Sequence, residues 1–137
     1  MIEILLALVC YSGGRCEEPS LPMAYEAAVV AMCESGDTLR LGSLDWEAVN
    51  VNADGTRDTG AFQMNSYWVW SGEDRWFINQ LAWELKMSPD TLLAAWPTAG
   101  DAPPAAQLRA FYLLWDEGRG SSHWAASQHC WGPLLGK

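Results

Sequence analysis

Residues 50–65 read NVNADGTRDTGAFQMN, and the fold turns on what this stretch is. Asn50, Asn52 and Asp54 alternate ahead of Gly55, like the first ligands of an EF-hand calcium loop that admits Asn at its first position. Such a loop needs a bidentate acid at its twelfth position, and counting from Asn50 puts Ala61 there. Two of the three leading ligands would also be neutral. No metal is expected here, and no cofactor. Asn, Asp and Gly are equally the residues of turns, and Asp54-Gly55 marks a tight one. In a third reading the turn delivers a carboxylate, Asp58, to a site completed by the rest of the chain.

The rest of the chain can support such a site. At 137 residues it is one domain, large enough for a hydrophobic core; half of it is apolar and 18% is charged, the balance of a globular protein. A net charge of −9 argues against a nucleic-acid partner, because phosphate binding needs a basic footprint. Any polyanionic substrate must be held by hydrogen bonds and stacking. Nine tryptophans are either core packing or the aromatic walls of a cleft. The leading MIEILLALVC is apolar but too short to span a bilayer, so no stable membrane insertion is expected. With Glu3 and no basic residue before its apolar run, it is a poor secretory signal and reads as a packed first helix.

The four cysteines form no CxxC pair, and with His123 and His129 they give no zinc spacing. Cys33 and Cys130 flank the two most motif-like segments, which favours pairing them, and Cys10 with Cys16. Buried free thiols are the alternative.

PSLPMAYEAAVVAMCESG (19–36) reads as a helix, with Pro22 in its first turn, Gly36 past its end, and Met23, Ala27, Val30 and Ala31 at helical spacing. Glu34 then falls in the last turn, where the helix dipole disfavours a carboxylate. Residues 37–60 are polar and turn-rich, with short hairpin strands expected. Helices are expected at 73–87, at PDTLLAAW behind a Ser88 cap, at 105–118 closed by Gly118, and at 121–131, with a break at GDAPP. The fold class is thus mainly α, with a small β wing.

CESG at 33–36, followed by AVNVNADGTRDTGAFQMNS at 48–66, resembles the lysozyme-like superfamily. It is similar to c-type lysozymes, with their DGSTDYGxxQIN segment, and to soluble-type lytic transglycosylases, with ESG followed by GLxQIN. SHWAASQHCW resembles, over a shorter match, the closing helix of bacterial and phage members. The resemblance implies a helical bundle with a hairpin wing and a cleft between them. It also implies cleavage of the β-1,4 bond between N-acetylmuramic acid and N-acetylglucosamine in peptidoglycan. Glu34 matches the family's catalytic acid and Asp58 the second carboxylate of c-type lysozymes. Gln63 and Asn65 match cleft-floor positions, Asn50 a polar position before the hairpin, and Tyr112 a tyrosine facing the cleft. The sequence departs from the pattern in three places. Glu34 and Asp58 lie 24 residues apart, which implies an insertion around DTLRLGS; Thr59 replaces an aromatic; and Met64 replaces Ile.

The chemistry of these residue types agrees. Glycoside cleavage needs a carboxyl that keeps its proton and a second that stays ionised. Burial serves the first and a polar turn the second, the contrast for which lysozyme is the reference case. Glu47, close to the hairpin, is the rival for the acid. The expected partner is the peptidoglycan glycan strand, met by a monomer in an extracytoplasmic setting: secreted, periplasmic or virion-associated. The alternative is a lysozyme-fold glycan-binding or virion structural protein without catalysis.

Overall fold

The computed structural model describes residues 9–10, 16–17, 20–35, 44–72 and 75–137, with side chains from residue 20 onward. Helix α1 (Leu21–Ser35) begins where the Ser20 hydroxyl accepts from the Met23 amide at 3.3 Å. It buries Ala27, Val29, Val30 and Ala31, close to the stripe the spacing predicts. Gly36 and the DTLRLGS segment lie outside the described residues.

The expected first helix is corrected at its end. Strand β1 (Val9–Cys10) pairs antiparallel with β2 (Cys16–Glu17), and the backbones of Cys10 and Cys16 face each other. A backbone already paired across a ladder cannot also make helical bonds. Residues 1–8 and the side chains of Cys10 and Cys16, and with them that disulfide pairing, lie outside the described residues.

The wing is a three-stranded antiparallel sheet of β3 (Val49–Val51), β4 (Arg57–Thr59) and β5 (Met64–Asn65), in that order. Its register sets Asn50 opposite Asp58 and Asp58 opposite Asn65. The metal-like alternation proves to be turn chemistry. Asn52 N donates to Thr56 O at 2.8 Å, Gly55 takes a left-handed φ of +85°, and the Asp54 carboxylate accepts from Thr56 N at 2.9 Å. Asn65 closes the sheet and caps the π-helical turn Ser66–Ser71, its Oδ1 accepting from the amides of Tyr67 and Trp68 at 3.0 and 2.8 Å.

The rest is helical: α2 (Trp76–Glu84), α3 (Pro89–Ala95) capped by Ser88, a 3₁₀ turn at Ala99–Asp101, and α4 (Pro104–Trp115). Two expected helices are corrected. The helix at 73–87 stops at Glu84, because Lys86 turns left-handed and the Met87 amide returns to Ala82 O. The helix at 105–118 stops at Trp115, where Asp116 takes φ +49°. The chain then doubles back so closely that a β-carbon on Gly120 would stand 1.7 Å from Leu114 O. Only glycine fits there. The last segment is not one helix over 121–131. It is a 3₁₀ stretch, Ser121–Ser127, followed by α5 (Gln128–Leu135). Trp124 breaks the helical geometry, with φ −117°, where its indole N–H reaches Phe62 O at 2.8 Å.

That bond belongs to the aromatic core that sets the site. Phe62 stacks on Phe111 with centroids 4.4 Å apart, and Phe111 stacks on Trp115 at 5.3 Å. Trp124 and Trp131 close the cluster against Trp115. Each such ring contributes roughly 1.5–3 kcal/mol by leaving water. Cys33 and Cys130 form a disulfide, as favoured by their placement, joining α1 to α5 with Cα atoms 5.8 Å apart. Among the described residues no helix is long and apolar enough to cross a membrane.

Candidate active site

Glu34 is half-buried in the last turn of α1. Its neighbour Ser35 donates to Ala61 O at 2.7 Å, which fastens the helix end to the loop after β4. Asp58, at the centre of β4, is carried to the same place by the sheet. Both carboxyls line one small cavity of about 150 Å³, with Gln63, Met64 and Asn65 from the wing and His123 and Trp124 from the C-terminal segment. Burial is the main reason the Glu34 pKa lies above its usual 4.5; the nearby Asp58 charge pushes it further up, and a hydrogen bond from Ser127 pulls it down. Glu34 is thus biased toward holding its proton. Asp58 sits in a polar setting, where Asn65 Nδ2 donates to its Oδ1 at 3.0 Å.

Gln63 is held by its own turn. It takes a left-handed φ of +51°, and its Nε2 donates to Gly60 O at 2.9 Å. Asn50 lies outside the cavity, exposed, and donates from Nδ2 to Gln63 Oε1 at 2.6 Å. It orients the floor and does not form it. Thr59 is buried, and its hydroxyl accepts from the Gly100 amide at 2.9 Å. Glu47 is exposed beside a separate groove with Asp45 and Asp101, away from Glu34.

Tyr112 is not brought to the carboxyl pair. It lines a larger cavity of about 780 Å³ with Met23, Glu26, Trp76 and Trp115, and Leu114 and His123 line both cavities. Burial, and then the Glu26 charge, holds its phenol well above the ordinary range. The Tyr112 hydroxyl and the Trp115 indole N–H are both buried and have no hydrogen-bond partner among the described residues. Of the tryptophans in residues 67–103, Trp76 reaches this larger cavity. Trp68 is exposed and donates to Asp54, and Trp70 is buried.

Sequence reasoning passed over Ser127 and His123. Ser127 is buried, and its hydroxyl donates to Glu34 Oε1. A signal was present: Ser127 lies one helical turn before Cys130, and Cys33 immediately precedes Glu34. His123 is exposed as a whole, yet its ring is desolvated near Trp124, which depresses its pKa. Among the described residues no group of three or more His, Cys, Asp or Glu could hold a metal ion. What the cavity offers is a carboxyl biased toward its protonated form, a second carboxyl, and the amides of Gln63 and Asn65. Comparison of the chain with protein-family models, with curated proteins and with solved structures returns no match.

Proposed function

We propose that the protein cleaves the β-1,4 glycosidic bond between N-acetylmuramic acid and N-acetylglucosamine in peptidoglycan, with Glu34 as general acid and base. The observation that carries this reading is a half-buried Glu34, its pKa raised by burial, sharing one small cavity with Asp58. Glu34 gives its proton to the leaving glycosidic oxygen as the C–O bond breaks. Asp58, lining the same cavity, stabilises the positive charge that grows at the anomeric carbon. Glu34, now a carboxylate, takes a proton from the incoming nucleophile. Water as nucleophile leaves a reducing sugar; the muramic acid 6-hydroxyl leaves a 1,6-anhydro end.

The larger adjoining cavity supports a glycan as the ligand. Trp76 brings a half-exposed indole to its lining, and indole faces stack on the apolar faces of sugar rings. A disulfide beside Glu34 fits an oxidising, extracytoplasmic setting. The test is incubation of the purified protein with peptidoglycan. Muropeptides should be released, Glu34→Gln should cut release by orders of magnitude, and the product mass should tell a reducing from an anhydro end by one water. Undiminished release by Glu34→Gln would remove Glu34 from the mechanism.

A further inference from the structure

We infer that Ser127 is a positioning residue for Glu34, reserving Oε1 as an acceptor so that the working proton is carried on Oε2. What the proton is used for rests on the glycosidase reading; the pairing stands on geometry. The Ser127 hydroxyl reaches two oxygens, Glu34 Oε1 and the Trp124 carbonyl, the latter at 3.2 Å. A hydroxyl has one proton to give, so it serves one of them at a time. The Trp124 carbonyl already accepts from Trp131 Nε1 at 3.0 Å. Glu34 Oε1 has no other donor among the described residues, so the Ser127 proton belongs there. An oxygen that accepts a hydrogen bond is the poorer place for the acid proton, which goes to Oε2.

The fold holds the pair together covalently. Cys33 precedes Glu34 and Cys130 follows Ser127 by one turn, so the disulfide fastens both residues from behind. The other titratable groups at the cavity are Asp58 from β4 and His123 from the 3₁₀ stretch. Asp58 opposes ionisation of Glu34, whereas Ser127 favours it.

The experiment is a titration of the Glu34 carboxyl by carbon NMR in the full chain, for wild type, Ser127→Ala and Ser127→Thr, beside muropeptide release against pH. With the hydroxyl gone, the Glu34 midpoint should move up, and the alkaline limb of activity with it. Peak rate should fall several-fold at unchanged KM, and Ser127→Thr should restore all three. Ser127→Cys, which keeps the bulk and weakens the donor, serves if the alanine variant does not fold. A Glu34 midpoint unmoved in the variants, or a threonine variant that fails to restore it, overturns the inference. A midpoint that moves in a protein releasing no muropeptide upholds the pairing and sinks the glycosidase reading instead.

Discussion

Glu34 carries two consequences whose signs follow from its surroundings. Its folded pKa is raised above the unfolded value of 4.5, so the fold favours the protonated form. The associated stability is fully present below pH 4.5 and is lost as pH rises through the folded pKa. Glu34→Gln, uncharged throughout, should match wild type in thermal unfolding at pH 4 and exceed it at pH 7. Muropeptide release should fall by about 10²–10⁴-fold, the usual worth of a positioned general acid. Equal stability gaps at the two pH values would mean that Glu34 is not desolvated in the folded protein. Asp58 acts on Glu34 in the opposite sense to Ser127. Asp58→Asn removes a charge that raises the Glu34 pKa, so any residual activity should show its alkaline limb at lower pH. An unmoved limb would place the two carboxyls too far apart to interact. At this scale the sequence was legible where a side chain sits in a local motif. Glu34, Asp58, Gln63 and Asn65 line one cavity because helix end and hairpin carry them there. Ser127 could not be seen in this way, since its partner lies 93 residues away.

Between elements, side-chain bonds to backbone add to the packing of the core. Gln107, buried in α4, binds three separate segments. Its Oε1 accepts from Ala61 N at 2.9 Å, and its Nε2 donates to Trp46 O at 2.8 Å and Ala102 O at 2.9 Å. It thereby holds the loop between β4 and β5, the lead into β3 and the turn before α4 in one arrangement. Gly60 makes room for it, since a β-carbon there would stand 2.5 Å from Gln107 Oε1. Gln107→Leu keeps the bulk but leaves buried backbone groups unpaired, each costing about 1–3 kcal/mol. The expected loss is roughly 3–5 kcal/mol in denaturant unfolding, with the disulfide intact. A loss under about 1 kcal/mol would show that the segments hold their places without it. Nothing in the sequence singles out Gln107, since the segments it binds lie up to 61 residues away. Helix existence was legible from spacing and from the Ser88 cap. Helix ends were less so, because Lys86 and Asp116 turn left-handed without being glycine, and the 3₁₀ path of 121–127 follows the pull of Trp124 on Phe62 O. The strand at Val9–Cys10 was hidden for a related reason: an apolar run alone does not say whether it is helix or strand.

For the molecule as a whole, a net charge of −9 leaves recognition of any anionic wall polymer to stacking and neutral hydrogen bonds. The aromatic content is distributed to match. Trp70, Trp115, Trp124 and Trp131 are core, while Trp68, Trp76 and Trp83 remain exposed. Of the exposed three, Trp76 alone lines the larger cavity, which shares Leu114 and His123 with the cavity of the carboxyl pair. It stands at the start of α2, edge-on to Phe77 with centroids 5.9 Å apart. Trp83 is 58% exposed on the same helix and reaches neither cavity, which makes it the matched control. A ring contact of this kind is worth about 0.5–1.5 kcal/mol beyond area, or roughly 2–10-fold in affinity. It acts equally on bound substrate and transition state, because Trp76 does not line the cavity that holds Glu34 and Asp58. Trp76→Ala should therefore raise KM for soluble muropeptide oligomers by that factor while kcat stays near wild type, and Trp83→Ala should change neither. Should both variants raise KM alike, the larger cavity would have no special claim on the glycan. A fall in kcat at constant KM would instead put Trp76 against the reacting sugar, and the strand would have to run along a different face from the one inferred.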